Sequence, residues 1–299
     1  THTKAYTDFV KGIIKIFDLH SGFDMVCCGT IPHSSGLSSS ASFCTGLGFA
    51  LSTLANNPIS GTNLALMCKR VENEFMGVNS GIMDQFIIAN GKDEKALLIN
   101  CNTLEYEEIP FELEDNVLII ANTNKKRQLA DSKYNERRAE CDEILRTINE
   151  ANHDFKYLCD INEKEMKTLM PLIKNDTLKK RFRHVVSENA RTIKAANALK
   201  EHDIKTLGEL LTQSHLSLEN DYEVTGKELD TLVHSFLKQD GCVGARMTGA
   251  GFGGCSIALF KKGTEKKAIE AVNEIYIKEI GYAPSFYEVC VSGGTREIK

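Results

Sequence analysis

The chain has 299 residues, with 36 lysines and arginines against 41 aspartates and glutamates and a formal net charge of −5. Nucleic-acid-binding domains present a strongly basic surface, so this balance argues against a nucleic-acid partner. Hydrophobic residues make up 42% of the chain and charged residues 26%, as in a folded globular protein. No apolar run approaches the roughly 20 residues that a membrane-spanning helix needs, and the length suggests about two domains.

The ten cysteines are scattered along the chain, and no two of them form a C-x-x-C pair. This distribution favours reduced thiols in a cytoplasmic protein over a disulfide framework. The sequence begins with Thr1 and contains no recognisable secretory signal. We therefore expect a cytoplasmic location.

In the first third of the chain, apolar residues recur at helical spacing. This periodicity predicts helices over residues 5–20 and 62–76, and Gly77 is a natural C-cap for the second. A third helix is predicted from the N-cap Ser80 to near residue 91. Between the first two helices, the segment Phe23–Gly29 is predicted to be a short strand.

The rest of the chain separates strands from helices. The chain is predicted to turn helical near Asp131, to be almost purely helical over 160–240 and to form one more helix over 264–278. The predicted strands lie at residues 96–99, 105–109, 117–121, 243–248, 255–260 and 285–291. Separate runs of helices and strands indicate an α+β fold. A charged break at residues 112–116 predicts two domains, 1–114 and 115–299.

Residues 34–42 are rich in glycine and serine, and we call them the serine loop. Such a run is most often a flexible linker. Here a predicted strand precedes it and a long run of small and apolar residues follows without a polar break, which favours a tight loop that leads into a helix. The unpaired N–H groups at a helix N-terminus suit a phosphate group. No Walker A motif and no protein-kinase motif is present.

A second loop, Gly249–Gly254, is called the glycine loop. It matches G-x-G-x-x-G, but residues 255–260 after it are predicted to be a strand, whereas a dinucleotide-binding fold requires a helix there. A glycine loop between two strands indicates a backbone that must come close to another group, either a ligand or a facing loop.

Four strings resemble the GHMP small-molecule kinases and, within them, the galactokinases. They are Ile31–Ser42, Gly81–Gln85 (G-I-M-D-Q), Ser132–Cys141 and Gly244–Cys255. The resemblance covers essentially the whole chain. It implies a two-domain GHMP kinase, with a ribosomal-protein-S5-like N-terminal part and a ferredoxin-like, helix-rich C-terminal domain. The implied reaction is ATP-dependent phosphorylation of α-D-galactose at O1 with Mg²⁺, the first step of galactose (Leloir) metabolism.

The resemblance also assigns roles to residues. It places Asp84 beside the C1 hydroxyl of the sugar as the catalytic residue, with Gly81 and Tyr134 as further sugar contacts. Ser40 and Glu72 become Mg²⁺ ligands. The implied nucleotide-binding residues are Ser34, Ser35, Gly36, Leu37, Ser38, Ser39 and Ser40.

Judged by the residues alone, simpler explanations stay open. Asp84 could merely complement a helix dipole, Glu72 could lie on a solvated helix face, and Tyr134 could border a core. Arg137 and Arg138 are predicted to be structural, pairing with Glu140 or its neighbours.

Other basic and imidazole groups receive weaker predictions. The basic cluster Lys125–Arg127 is either a solvated loop or near the phosphates. Arg246 could brace the glycine loop. Packing or capping roles are predicted for three histidines, His33, His184 and His215.

One departure concerns the N-terminal signature of galactokinases, G-R-x-N-L-I-G-E-H-T-D-Y, which supplies an arginine and sugar ligands. The chain contains no such string, so we expect the 299-residue chain alone to be weakly active or inactive. Two alternatives remain: a kinase for a related sugar such as N-acetylgalactosamine or arabinose, and a galactokinase-like sugar sensor. The expected partners are galactose and ATP, without nucleic acid or membrane, and a monomer is expected.

Overall fold

The structure is a computed structural model that describes residues 6–20, 22–32, 36–77, 81–125 and 130–298. By packing, the chain divides into two compact units. The first runs through Glu112 and includes the segment from Cys290 onward, whereas the second holds Leu113–Val289 together with Gly36. The expected α+β class is confirmed. The division at residues 114 and 115 stays a prediction, and it would assign the segment from Cys290 to the other domain.

The first unit is built mainly from helices. Helices α1 (Tyr6–Ile16), α2 (Ser39–Leu54) and α3 (Gly61–Val71) pack around an apolar core. Its fully buried members are Ile13, Phe17, Cys44, Leu47, Leu51, Leu64, Cys68 and Val71. Their spacing of three or four residues along each helix explains why these segments fold as amphipathic helices.

Helix α3 continues into a π-helical turn, Glu72–Met76, which ends at Gly77. Gly77 has a φ of 68°, the left-handed conformation in which glycine meets no steric penalty. The predicted C-cap is therefore confirmed. Single π-helical turns within helices occur often at functional sites, which makes this turn a place to look for one.

Helix α4 (Met83–Asn90) packs on α3 and lies beside a hairpin of β1 (Lys95–Ile99) and β2 (Tyr106–Pro110). Phe86 of α4 meets the Tyr106 ring edge-on, with ring centroids 5.3 Å apart. The helix begins later than predicted, and the expected N-cap Ser80 lies outside the described residues.

The C-terminal segment closes the first unit by capping α4. Thr295 N–H donates to the carbonyl of Ile88 at 2.7 Å, and Gly294 N–H donates to the carbonyl of Gly91 at 2.8 Å. Carbonyls at the end of a helix have no partner within the helix. The segment therefore supplies partners for the last turn of α4.

The predicted strand Phe23–Gly29 is wrong. Described residues 22–30 form no strand, and the Val26 side chain is 96% exposed. Alternation of residues defines the two faces of a strand, but a strand forms only where a second strand supplies the ladder of hydrogen bonds. None of the described strands pairs with this segment.

The second unit contains a four-stranded antiparallel sheet in the order β4-β5-β3-β6. Its strands are β3 (Asn116–Asn122), β4 (Cys242–Thr248), β5 (Cys255–Lys261) and β6 (Ser285–Val289). Helices α9 (Lys227–Leu237) and α10 (Glu265–Ile280) cover it, sharing a core that includes Phe236 and Phe260. The strand predictions for this unit are confirmed within two residues at each end.

The remaining helices of the second unit are α5 (Ala130–Asn149), α6 (Glu163–Leu169), α7 (Asp176–Lys200) and α8 (Ile204–Ser217). Three of them, α5, α6 and α7, share another apolar core, and α8 packs against both α7 and β4. A second π-helical turn, Leu218–Tyr222, follows α8. Short 3₁₀ turns at Leu158–Asp160 and Met170–Leu172 flank α6. Among the described helices, none combines the length and the apolar composition needed to cross a bilayer.

Candidate active site

The serine loop leads into α2 through Ser38, which has a left-handed backbone with φ 55° and ψ 35°. A serine in this position normally caps the helix with its hydroxyl. Here the side chain makes no cap and donates instead to Oδ2 of Asp84, at 2.5 Å. A left-handed non-glycine residue stores strain, and such residues concentrate at functional sites. The strained backbone therefore aims a hydroxyl at the predicted catalytic carboxylate.

Asp84 lies in the first turn of α4 and is half-buried. The N-terminal end of a helix carries a partial positive charge, which is a favourable place for an acidic side chain. Gly81 lies three residues before it, exposed, just ahead of the helix. The predicted pair Gly81 and Asp84 thus brackets the entry into α4.

Glu72 begins the π-helical turn after α3 and is 5% exposed. Its Oε2 accepts a hydrogen bond of 2.7 Å from Nε2 of Gln85, a buried residue of α4. The solvated-face explanation for Glu72 is therefore wrong. A buried carboxylate needs hydrogen-bond donors to offset its lost hydration. Gln85 was not predicted as a site residue, although its place next to Asp84 in the G-I-M-D-Q string was a usable signal.

Some of the other predicted nucleotide-binding residues of the serine loop are described by the structure and others are not. Gly36, Leu37 and Ser39 are half-buried, whereas Ser40 is exposed in the first turn of α2. Ser34 and Ser35 lie outside the described residues.

The glycine loop of the second unit connects β4 to β5, so the predicted following strand is confirmed. Gly249, Gly251, Gly253 and Gly254 have positive φ, and so does Phe252 at 57°. Phe252 N–H donates to the carbonyl of Val224 at 2.7 Å. A Cβ on Gly251 would lie 2.1 Å from that carbonyl oxygen, and one on Gly249 would lie 3.4 Å from the carbonyl oxygen of Gly36. Close approach of the Val224 backbone requires glycine at position 251, and positive φ favours glycine at positions 249, 253 and 254.

Two buried arginines hold the segment that precedes Val224, and we call Arg137 and Arg181 the arginine bracket. Arg137 donates to the carbonyls of Tyr222 and Glu223 at 2.7 and 3.2 Å. Arg181 donates to the carbonyl of Asp221 at 2.6 Å. Three consecutive carbonyls are therefore fixed by two side chains.

Glu140 carries the charge that balances this bracket. Its Oε2 lies 3.1 Å from Nη1 of Arg137 and 2.8 Å from Nε of Arg181. The structural role predicted for Arg137 is confirmed. Arg138 is exposed and pairs with Asp142 one helical turn away, which also agrees with the prediction.

Tyr134 lies in the second turn of α5, three residues before Arg137, and is 41% exposed. It therefore shares a helix with Arg137 of the bracket and is partly open to solvent. Lys125 pairs with Glu228 at 2.9 Å, and its stem packs beside Gly253 of the glycine loop. The rest of that basic cluster lies outside the described residues.

Arg246 does not brace the glycine loop as suggested. It donates to the carbonyl of Met247 on its own strand and lies 3.5 Å from Glu188 of α7. Successive side chains of a strand point to opposite faces of the sheet. The Arg246 side chain lies on the face toward α7 and therefore does not extend along the strand to the glycine loop.

Two of the three histidines with predicted packing or capping roles, His184 and His215, are buried in the second unit. His184 bonds the Ser217 hydroxyl at 2.9 Å and stacks on the Tyr222 ring, so its packing role is confirmed. Burial lowers the pKa of His184 to about 4. His215 accepts a hydrogen bond from Met247 N–H at Nδ1, 3.3 Å away. His33 lies outside the described residues.

Comparison with known families gives the class first. The family model for the GHMP kinases N terminal domain matches residues 8–92, and the model for GHMP kinases C terminal matches residues 195–278. A mevalonate kinase structure from Methanococcus jannaschii shares the fold, with a TM-score of 0.62, 22% identity and coverage of 96% of this chain and 74% of that one. The fold is that of a GHMP kinase.

Closer relatives narrow the class. The galactokinases of Clostridium beijerinckii and Streptococcus mutans are each 46% identical over 98% of this chain and 76% of their own length. The structure of Lactococcus lactis galactokinase complexed with galactose superposes with a TM-score of 0.93 at 42% identity, covering 100% of this chain and 78% of that one. The chain therefore belongs to the galactokinase family of GHMP kinases, whose phosphoryl donor is ATP.

Proposed function

We propose that the protein transfers the γ-phosphoryl group of ATP to O1 of α-D-galactose, giving galactose 1-phosphate and ADP, the first step of the Leloir route. The observation that carries this proposal is the contact between Ser38 and Asp84. It joins a loop suited to phosphate with a carboxylate suited to a hydroxyl. The similarity to galactokinases supports galactose as the acceptor.

Asp84 is the proton acceptor in this proposal. O1 of the sugar forms a bond to the γ-phosphorus, the bond from that phosphorus to the β-bridging oxygen breaks, and the O1 proton passes to the Asp84 carboxylate. Phosphoryl transfer relies mostly on positioning and on neutralising charge. A well-placed carboxylate typically contributes about 10²–10⁴-fold. The Ser38 hydroxyl holds one carboxylate oxygen in place and leaves the other for the sugar.

The phosphates are bound by backbone N–H groups in this proposal. The serine loop from Ser34 to Ser40 ends at the N-terminus of α2, whose free N–H groups and dipole favour an anion. Gly81 and Tyr134 are proposed to contact the sugar.

Magnesium is proposed as the ion that bridges protein and nucleotide. Carboxylate and hydroxyl oxygens are the hard ligands that Mg²⁺ prefers, and it commonly takes only one or two from the protein. Glu72 fits because its carboxylate is buried and one of its oxygens, Oε2, is held by a hydrogen bond from Gln85. Glu72 and Ser40 would hold the ion, which would neutralise charge on the phosphates.

The test is ADP release with Mg-ATP, measured on the protein expressed from its natural start codon. Galactose, N-acetylgalactosamine, arabinose, glucose and no sugar are compared. Release with galactose alone is the expected result, and Asp84→Asn serves as the inactive control. Release with another sugar only would overturn the substrate, and ATP binding without release for any sugar would replace the enzyme by a sugar sensor.

The cellular setting is also proposed rather than observed. We propose a cytoplasmic monomer whose partners are galactose and ATP, without nucleic acid or membrane. The net charge of −5 supports the exclusion of nucleic acid. Size-exclusion chromatography with light scattering tests the monomer.

A further inference from the structure

Four side chains of the second unit converge from two helical segments. His215 and Glu219 are four residues apart across the end of α8 and the π-helical turn that follows it. Asp230 and His234 are four residues apart on α9. Residues at this spacing share one face of a helix. Each segment therefore presents one imidazole and one carboxylate to the same place.

Ligand atoms of His215, Glu219 and His234 all lie within 4.8 Å of one another, and Asp230 approaches His215. His215 Nε2 is 4.0 Å from Glu219 Oε2 and 3.8 Å from Asp230 Oδ1. His234 Nε2 is 3.0 Å from Glu219 Oε2. A tetrahedral zinc site with bonds of about 2.0 Å has ligand atoms about 3.3 Å apart. The three separations of 3.0, 3.8 and 4.0 Å are close to that spacing.

Two of these atoms are buried and lack a hydrogen-bond partner among the described residues. His215 is 0% exposed, and its Nε2 has no hydrogen bond. Asp230 Oδ1 is likewise buried without one, although Thr225 donates a hydrogen bond to this carboxylate. A buried polar atom without a partner is costly, and such atoms in native structures call for an explanation. Both atoms face the same point between α8 and α9.

We propose that His215, Glu219, Asp230 and His234 bind a divalent transition-metal ion, with Zn²⁺ as the best match. Two imidazole nitrogens and two carboxylate oxygens form a ligand set that zinc accepts in tetrahedral geometry. The set is separate from Ser40 and Glu72, which belong to the first unit. The proposal does not rest on the sugar-kinase reaction, because it uses no residue assigned to substrate.

The hydrogen bond at Nδ1 of His215 sets the strength of this site. Ligation through Nε2 requires the proton on Nδ1, which now accepts from Met247 N–H at 3.3 Å. Metal binding therefore breaks that long hydrogen bond, which lowers affinity by roughly ten- to hundredfold. A four-ligand zinc site retains ample affinity after such a loss, since its binding free energy is several times larger. On the other side, the Thr225 hydrogen bond already orients Asp230.

The experiment is titration of the EDTA-treated full chain with ZnCl₂ by calorimetry, after alkylation of the exposed cysteines. One Zn²⁺ per chain and a rise in thermal midpoint are expected. His234→Ala should weaken binding at least about tenfold, because even losing a group that merely orients a ligand costs that much. His234 is 42% exposed at its side chain, so this variant should keep its fold. Glu219→Gln is a second variant with the same expectation.

The matched control is His153→Ala, an exposed histidine elsewhere in the second unit, which should bind Zn²⁺ like the parent. Co²⁺ in place of Zn²⁺ should give tetrahedral d–d absorption without a thiolate charge-transfer band. Equal affinity in the parent, His234→Ala and Glu219→Gln would overturn the proposal. So would loss of all binding on alkylation, because the cysteines would then be the ligands.

Discussion

The serine loop and the glycine loop are both rich in small residues, but they are held in different ways. The serine loop enters a helix, and its described contact with the catalytic region is made by side chains, the Ser38 hydroxyl and the Asp84 carboxylate. The glycine loop enters a strand, and backbone contacts to Val224 hold it. Changes near the first loop should therefore alter turnover, whereas changes near the second should first lower stability.

The largest expected effect is on turnover, from a change at the contact between Ser38 and Asp84. Asp84→Asn should lower turnover by about 10²–10⁴-fold because the O1 proton loses its acceptor. ATP binding and the free energy of unfolding should stay close to those of the parent, since Asn keeps the shape and can still accept from Ser38. Steady-state kinetics with urea denaturation measures both. Turnover above about a tenth of the parent would remove Asp84 from this role.

In the glycine loop, a substitution is expected to lower stability. Gly251→Ala should lower the free energy of unfolding by about 3 kcal/mol, because the new Cβ would lie 2.1 Å from the Val224 carbonyl oxygen at a φ of +81°. Gly263→Ala is the matched control, with a φ of +90° and no atom within 4 Å of the new Cβ. It should cost only the left-handed penalty of about 1 kcal/mol. Equal losses in the two variants would contradict the close contact.

The arginine bracket extends this contrast to side chains that act on backbone. Arg137→Gln should lower the free energy of unfolding by about 2–4 kcal/mol, since two carbonyls and Glu140 lose a buried charged donor. Arg138→Gln should change it by less than about 0.5 kcal/mol, because its ion pair is exposed.

Steady-state kinetics of Arg137→Lys and Arg138→Gln tests whether the bracket also positions Tyr134. Arg137→Lys keeps the charge near Glu140 but cannot reach both carbonyls. It should raise KM for the sugar while the fold is retained. If Arg137→Lys and Arg138→Gln have the same KM, the bracket serves stability alone.

Two variants of Ser38 separate the role of its hydroxyl from the strain of its left-handed backbone. Ser38→Ala should lower turnover about tenfold, the loss of one hydrogen bond to a charged group. Ser38→Gly should lower turnover equally, yet raise the free energy of unfolding because glycine relieves the left-handed strain at φ 55°. Unchanged turnover with a higher KM for ATP would instead make Ser38 a nucleotide contact only.

The smallest expected effect is a loss of stability at low pH that comes from the second unit. Burial holds the pKa of His184 at about 4 in the folded chain, against 6.5 for a free histidine. Between these values the unfolded chain binds more protons, so stability falls as pH falls. Urea denaturation at pH 7.0 and 5.5 should show a loss of about 1 kcal/mol from this group. His184→Asn should lack this part of the pH dependence, and an unchanged dependence would assign it to other groups.

Local patterns predicted most elements and the region of the site. The serine loop could be placed before a helix because small and apolar residues follow it without a break. The left-handed Ser38 could not, since serine at a helix start normally takes an extended backbone and caps the helix. The strand predicted at Phe23–Gly29 failed because pairing is a property of two segments, and one sequence window contains only the first.

Contacts between distant segments account for most of what was missed. Gln85 and Glu72 come from different helices, and only packing shows that one amide serves the other. The sequence around His215 shows no metal-ligand spacing and predicts a packing or capping role, since the second imidazole and one carboxylate of the cluster come from α9. The arginine bracket could be predicted only in part. The pairing of Arg137 with Glu140 is local in sequence, but its hydrogen bonds to the carbonyls of Tyr222 and Glu223 join distant segments.

The cap that Thr295 places on α4 bears on the order of events at the ribosome. Thr295 and Ile88 are 207 positions apart in the chain. At ordinary rates of synthesis, roughly 10–40 s pass between the emergence of the two residues. The helix that carries Asp84 therefore waits, with its last carbonyls unclaimed, while the whole second unit is made and can fold. The region proposed for catalysis is therefore completed long after its own helix has been translated.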